Sequence, residues 1–257
     1  IVDSNSVRSF IPVVGKVLLL YPKSKKYCFG VYNILTHRSS VCPKGQVIES
    51  RYRNCYSCLQ ATGFNPAFYN VPHSSLSVQQ QQYNLTKHQV YLAAFSKDII
   101  KVGIAQCDRL MVRLTEQGAR CAIILGDFED AYKAREMEIS TISKYKLAEG
   151  VTMPTKMKVT KGPLDSAEKE SITRKLIALY GLIVDGDAKS EVLDFDKLYF
   201  GSDVKFSVDK PTVIKGDIGG RVIGAVGDIL FLDTEGGKIK VNIKPHYGSL
   251  TFTESEL

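Results

Sequence analysis

Apolar residues recur along this chain in short runs of two different periods, and the switch between the periods marks out its elements. Residues 11–35 alternate β-rich stretches, Ile11–Tyr21 and Tyr27–Leu35, around the basic turn Lys23-Ser24-Lys25-Lys26. That pattern predicts an antiparallel pair with Gly15 and Gly30 at bends. Residues 36–75 are polar, cysteine-bearing and nearly aperiodic, so they read as loop. Ser74 to Tyr83, with the glutamine run Gln79–Gln82, reads as a linker. The pattern then sharpens. Val90–Phe95 and Ile99–Ile104 are short apolar runs joined by Ser96-Lys97-Asp98, which is a hairpin signature. Asp108 is placed to cap a helix ending near Gln117, with Gly118 as its stop. Cys121–Leu125 is a third strand, and a second helix runs from about Glu129 to about Leu147, its acidic first turn suiting the helix dipole.

The order strand, strand, helix, strand, helix defines a middle unit over residues 84–150. After it, Leu164–Tyr180 has the spacing of an amphipathic helix, with Asp165 or Ser166 as cap. Four glycine-punctuated runs follow: Ile218–Gly224, Ile229–Asp233, Lys238–Ile243 and Ser249–Thr253. Runs this short predict a small barrel or meander, completed by strands of residues 11–35. The class is therefore α+β. Three regions are expected: 1–83, basic and cysteine-rich; 84–150; and 151–257, a helix followed by a β-rich domain.

Charge changes the picture more than composition does. The net +7 is concentrated in residues 1–83, where nine Lys and Arg stand against two Asp and Glu. Residues 84–150 balance at +1, and residues 151–257 at −1. A local basic surface of this kind suits a phosphate-bearing or acidic partner. No apolar run approaches the ~18–20 residues that span a bilayer. The expected location is intracellular, in the cytoplasm or nucleoid, with no membrane association and with thiols kept reduced.

Four of the six cysteines fall in the same basic region. Cys55 and Cys58, two residues apart, match the compact half of a zinc site, because one turn brings both thiolates to a single tetrahedral ion. Cys42 and Cys28 complete a set of four, with His37 or His73 as alternatives to Cys28. Structural zinc is the favoured reading; a disulfide framework is the other. Cys107 and Cys121 read as small buried hydrophobes.

The middle unit carries a resemblance. Gln89-Val90-Tyr91, followed ten residues later by Lys101-Val102-Gly103, resembles the paired motif of GIY-YIG endonucleases. Tyr91 matches the first motif's tyrosine and Gly103 the second motif's glycine, while Arg113 matches the helical arginine and Glu138 the metal-binding glutamate. Lys101 stands where the second motif usually has tyrosine. The longer string Tyr91–Phe95, Lys101–Ile104, Arg109, Arg113 and Glu116–Ala119 resembles an uncharacterised family joining an upstream cysteine cluster to a GIY-YIG-like core.

The resemblance implies a β-β-α-β-α core of GIY-YIG type that acts on DNA or RNA with Mg²⁺ or Mn²⁺. Tyr91 would serve as base or orienter, Lys101 as a phosphate ligand, Arg109 and Arg113 as a guanidinium pair, and Glu138 as the Mg²⁺ ligand. The alternatives are a non-catalytic zinc-stabilised nucleic-acid module and an assembly module that docks an acidic protein partner.

Overall fold

The computed structural model describes residues 12–49, 53–184, 191–201 and 204–254. Strand β1 spans Val17–Pro22, followed by the short strands β2 (Val31–Tyr32) and β3 (Ser39–Ser40). Helix α1 covers Tyr56–Thr62 and helix α2 covers Val78–Asn84. The antiparallel pair expected within residues 11–35 does not form, Ile11 itself lying outside the described residues. β2 pairs with β3, and β1 goes elsewhere. Its alternate side chains Leu18 and Leu20 are both buried against the C-terminal sheet, which offers them more apolar surface than β2 does. The expected linker is α2. Ser77 caps it by accepting from the Gln80 backbone N–H, and Gln80 and Asn84 are fully buried.

The middle unit follows the expected order. Strands β4 (His88–Ala94) and β5 (Ile100–Gln106) form the hairpin, helix α3 (Leu110–Gln117) follows, then strand β6 (Cys121–Phe128) and helix α4 (Ala131–Tyr145). α3 starts later than expected. Cys107–Arg109 form a 3₁₀ turn, and the Asp108 side chain caps neither element. Gly118 stops α3 in the left-handed conformation, as its position predicted. Asp130 caps α4 by accepting from the Lys133 N–H.

Helix α5 (Met153–Val159) comes next, then helix α6 (Ser166–Ile183), whose cap Asp165 forms a reciprocal capping box with Glu168. Strand β7 (Leu193–Asp194), helix α7 (Asp196–Phe200) and strand β8 (Pro211–Thr212) lead into β9 (Ile218–Val226), β10 (Ile229–Thr234), β11 (Gly237–Asn242) and β12 (Leu250–Glu254).

These strands form an open six-stranded sheet in the order β12-β1-β9-β10-β11-β8, so the meander reading holds and no barrel closes. The N-terminal β1 fills the slot between β12 and β9. The middle unit forms a four-stranded sheet, β5-β4-β6-β7.

Strand alternation sorts the core into layers. Val90, Leu92 and Ala94 of β4 face Ile172 and Leu176 of α6 and Ala134 of α4. Tyr91, Ala93 and Phe95, on the other face, join Leu110 and Leu114 of α3, Phe200 of α7 and Phe231 of β10 in a shared cluster. The two sheets are thus joined by one continuous apolar layer. At its border Arg120 donates to Asp196 at 2.7 Å and to the Gly162 carbonyl at 2.9 Å, with both ion-pair partners buried. The fully buried Lys240 ammonium donates to the carbonyls of Met157 and Thr160 at the end of α5.

Candidate metal centre and anion-binding cavity

The four cysteines of the basic region converge. Cys28 lies in the loop before β2, Cys42 follows β3, Cys55 occupies the N-cap of α1, and Cys58 sits in that helix's first turn. Their sulfurs all lie within 4.8 Å of one another, and Cys42 Sγ is 3.9 Å from Cys55 Sγ. Four sulfurs each ~2.3 Å from one tetrahedral ion are about 3.8 Å apart, so the cluster is of the size zinc requires. No disulfide links any of the six cysteines in the structure, which favours the metal reading over the disulfide one.

The fourth member of the cluster is a cysteine. Cys28 completes the set, whereas His37 bonds Tyr32 and His73 bonds Tyr132. Backbone N–H groups point at the sulfurs. Gly30 and Cys55 donate to Cys28 Sγ at 3.3 and 3.1 Å. The N–H groups of Gln46 and Lys44 hold the Cys42 thiol down at about 6 against the effect of burial. Burial and the neighbouring sulfurs push Cys58 the other way. Four acidic groups in one small space cannot all ionise without a cation, and the donor set suits zinc or another thiophilic ion. Gly30 is required by the close packing: with φ +85°, a Cβ there would fall 1.9 Å from the Ser40 carbonyl oxygen. Cys121 lies apart, buried on β6, where burial pushes its thiol up to about 12.

The five residues expected to carry chemistry also meet. Tyr91, Lys101, Arg109, Arg113 and Glu138 all line one cavity of about 630 Å³. It runs around the edge strand β5 from the α3 side to the α4 side. A bulge in β6 at Leu125 interrupts its pairing with β4 between Val90 and Tyr91. Tyr91 stands opposite Gly103 in the β4–β5 register, and a Cβ on Gly103 would lie 2.7 Å from the Tyr91 hydroxyl. The glycine is therefore what lets the tyrosine ring cross β5.

The Tyr91 hydroxyl accepts from Gln117 Nε2 at 3.1 Å, and burial raises its pKa although Arg113 opposes this. At neutral pH it is a phenol, with a proton of its own to donate. The base reading required a lowered pKa, so Tyr91 fits the role of orienter instead.

The four cations differ in commitment. Arg109 donates to the Tyr32 hydroxyl and, at 3.2 Å, to both oxygens of Glu116. It sits in the turn ahead of α3, and it lines the same cavity as Arg113. Arg113 is exposed and, among the described residues, makes no salt bridge. Lys101 is buried beside the Tyr91 ring, 5.9 Å from its centroid, and burial reinforced by Arg113 brings it down to about 8. Arg135 bonds Glu138 at 2.5 Å and Glu149 at 2.7 Å, and its Nε is buried with no partner. Glu138 is buried with its pKa raised by that burial, while Arg135 and Lys101 pull it down. Among the described residues no second cluster of three metal-ligating side chains surrounds it.

Sequence reasoning missed the aromatic walls and the cysteine segment's share in them. Tyr32, Phe64, Phe68, Tyr69 and Tyr83 line the cavity together with His37 and His88. Tyr32 lies on β2 within the cysteine-rich segment, and its bond from Arg109 ties that segment to the middle unit. The missed Arg135 did leave a signal, lying three residues before Glu138 on the same helix. The other walls come from separate segments and left none.

Residues 15–249 match the model of the family described as "Protein of unknown function (DUF2797)". The chain belongs to this family. No curated protein and no solved structure matches it. The DUF2797 match takes in both the cysteine cluster and the cavity, in keeping with the resemblance to an uncharacterised cysteine-bearing family. These comparisons lend no support to a GIY-YIG core. Among the described residues, no helix is long and apolar enough to cross a membrane.

Proposed function

We propose that this protein binds nucleic acid and holds a backbone phosphate in the cavity beside β5. The observation that carries this reading is the cavity's charge: Lys101, Arg109, Arg113 and Arg135 line it against only Glu138 and Glu149. Arg113 makes no salt bridge among the described residues and its side-chain partner is the neutral Tyr91 hydroxyl, so its charge is not offset by a carboxylate and can be met by a phosphate. The four-cysteine segment, with zinc bound, holds Tyr32 in the wall through the bond with Arg109. The exposed Lys23, Lys25, Arg38 and Lys44 add a basic approach surface.

Anisotropy with short single-stranded DNA and RNA tests the reading. Binding is expected at low salt, falling steeply as salt rises, and Arg113→Ala is expected to weaken it about tenfold, the equivalent of ~1.4 kcal/mol. Absence of binding to either polymer at low salt sinks the proposal.

A second reading, cleavage of the bound phosphodiester by a divergent GIY-YIG-like site, rests on a different observation. Tyr91, Arg113 and Glu138 share the cavity, and the unit has the order β-β-α-β-α. Glu138 would then carry Mg²⁺ or Mn²⁺, most of whose remaining ligands would be water and phosphate. Its ion pair with Arg135 competes with that role, which is why binding is placed first. Nicking that requires the divalent ion and disappears in Glu138→Gln would put cleavage ahead. An unchanged rate in that variant removes it.

A further inference from the structure

The cavity's lining combines two chemistries. Lys101, Arg113, Arg135 and Glu138 supply charge, and Tyr32, Phe64, Tyr83 and His88 supply an aromatic wall. Tyr83 is its centre: Phe64 meets it edge-on at 6.2 Å and His88 edge-on at 5.1 Å. The two sets adjoin, because Arg113 and Arg109 act electrostatically on the Tyr83 hydroxyl.

Gln106 also lines the cavity, directly opposite His88 in the β4–β5 register. It is only 9% exposed, and its Oε1 is buried without a hydrogen-bond partner. A buried amide oxygen left unpaired costs roughly 1–3 kcal/mol, so it marks a place where a ligand's donor belongs.

From the aromatic wall, the unpaired Gln106 oxygen and the adjoining cations, we infer that the cavity takes one unstacked nucleotide. The base lies against Tyr83 and Phe64 with an N–H directed at Gln106 Oε1, and the phosphate lies toward Arg113 and Lys101. This deepens the nucleic-acid reading and rests on it for the strand context. A volume of about 630 Å³ suits a ligand of monomer size. Bases within a duplex are stacked on both faces, so only a single strand or an extruded nucleotide presents one for such a pocket.

The test compares ligands on the wild-type chain by calorimetry: adenosine and cytidine 5′-monophosphates against ribose 5-phosphate and inorganic phosphate. The nucleotides are expected to bind about tenfold or more tightly than ribose 5-phosphate, the gain that base stacking typically gives. Tyr83→Ala and Gln106→Leu should erase that difference while leaving ribose 5-phosphate unaffected. The exposed Phe64→Ala gives the same readout should Tyr83→Ala misfold. In parallel, an oligonucleotide is compared with its abasic sugar-phosphate analogue.

If oligonucleotides bind yet the base adds nothing in either comparison, the nucleotide pocket is overturned and phosphate binding stands. If monophosphates bind with base preference but no strand does, the pocket stands and the strand-binding reading falls.

Discussion

Lys101 and Gly103 show how two residues on one strand set the chemistry of the cavity. Below about pH 8 Lys101 is charged, whereas an ordinary lysine stays charged to about 10.5. Between those values the unfolded chain holds this proton more firmly, so Lys101's contribution to stability improves as pH rises through that window. Phosphate affinity should move the opposite way, falling between pH 7 and 9 as the ammonium is lost, and Lys101→Met should flatten the profile. Arg113, Lys156, Glu138 and Glu149 act on the same group, so the titration is broad.

Gly103→Ala is a sharper probe, because the added methyl collides with the Tyr91 hydroxyl. Ligand affinity should fall while thermal unfolding shifts by only a few degrees; unaltered binding would mean that Tyr91 plays no part. That Lys101, Tyr91, Gly103, Arg113 and Glu138 would come together was legible in sequence, since they sit close along one compact unit. Tyr32 and Tyr83 were not, because nothing in the local sequence says which surface a distant tyrosine will meet.

At the scale of elements, the cysteine segment is built from very short pieces. β2 and β3 are two residues each, and among the described residues of this segment α1 is the one α-helix, with seven residues. Elements that short do not stand alone, so a metal held by the four cysteines is expected to supply much of their folding energy. About one equivalent of zinc is expected in reduced protein. Cys58→Ser or chelation should open residues 27–63 to protease and weaken ligand binding, since Tyr32 leaves the cavity with them. Protease resistance without metal would show that the segment folds unaided.

α2 gives the opposite lesson about legibility. Ser77-Val78-Gln79-Gln80 carries a capping-box spacing, but the glutamine run drew the reading toward a linker. Gln80 instead exchanges two 2.7 Å hydrogen bonds with the backbone of Asn65, an arrangement set by tertiary contact.

Across the whole molecule, the N-terminal β1 and the apolar layer between the sheets tie distant parts of the chain together. Leu20 is buried on β1 between β12 and β9. Leu20→Ala should cost about 2–5 kcal/mol in denaturant unfolding, as cavity-forming substitutions do. Arg120→Ala should cost about 3–5 kcal/mol, because it leaves Asp196 charged and unpaired in the layer joining the two sheets. A loss below about 1 kcal/mol in either variant would mean that the contact contributes little. The charge argument also changes at this scale. Although the basic excess lies in residues 1–83, the cations that line the cavity come from the nearly neutral middle unit. Net charge along a sequence averages over pairs such as Arg109 with Glu116, and only folding reveals that Arg113 makes no such pair among the described residues.

The sequence by itself determined the order of the middle unit, the cap of α6, the C-terminal run of strands and the grouping of Cys28, Cys42, Cys55 and Cys58. Each follows from local periodicity, from a cap within one turn, or from the spacing of one residue type. Tertiary structure alone decided that β1 leaves its neighbours for the far end of the chain, that α2 is a helix, and that aromatic side chains from β2, α2 and the intervening loops close over β5. Burial and charge pairing between distant segments decide such things, and their energies depend on partners that no local window contains.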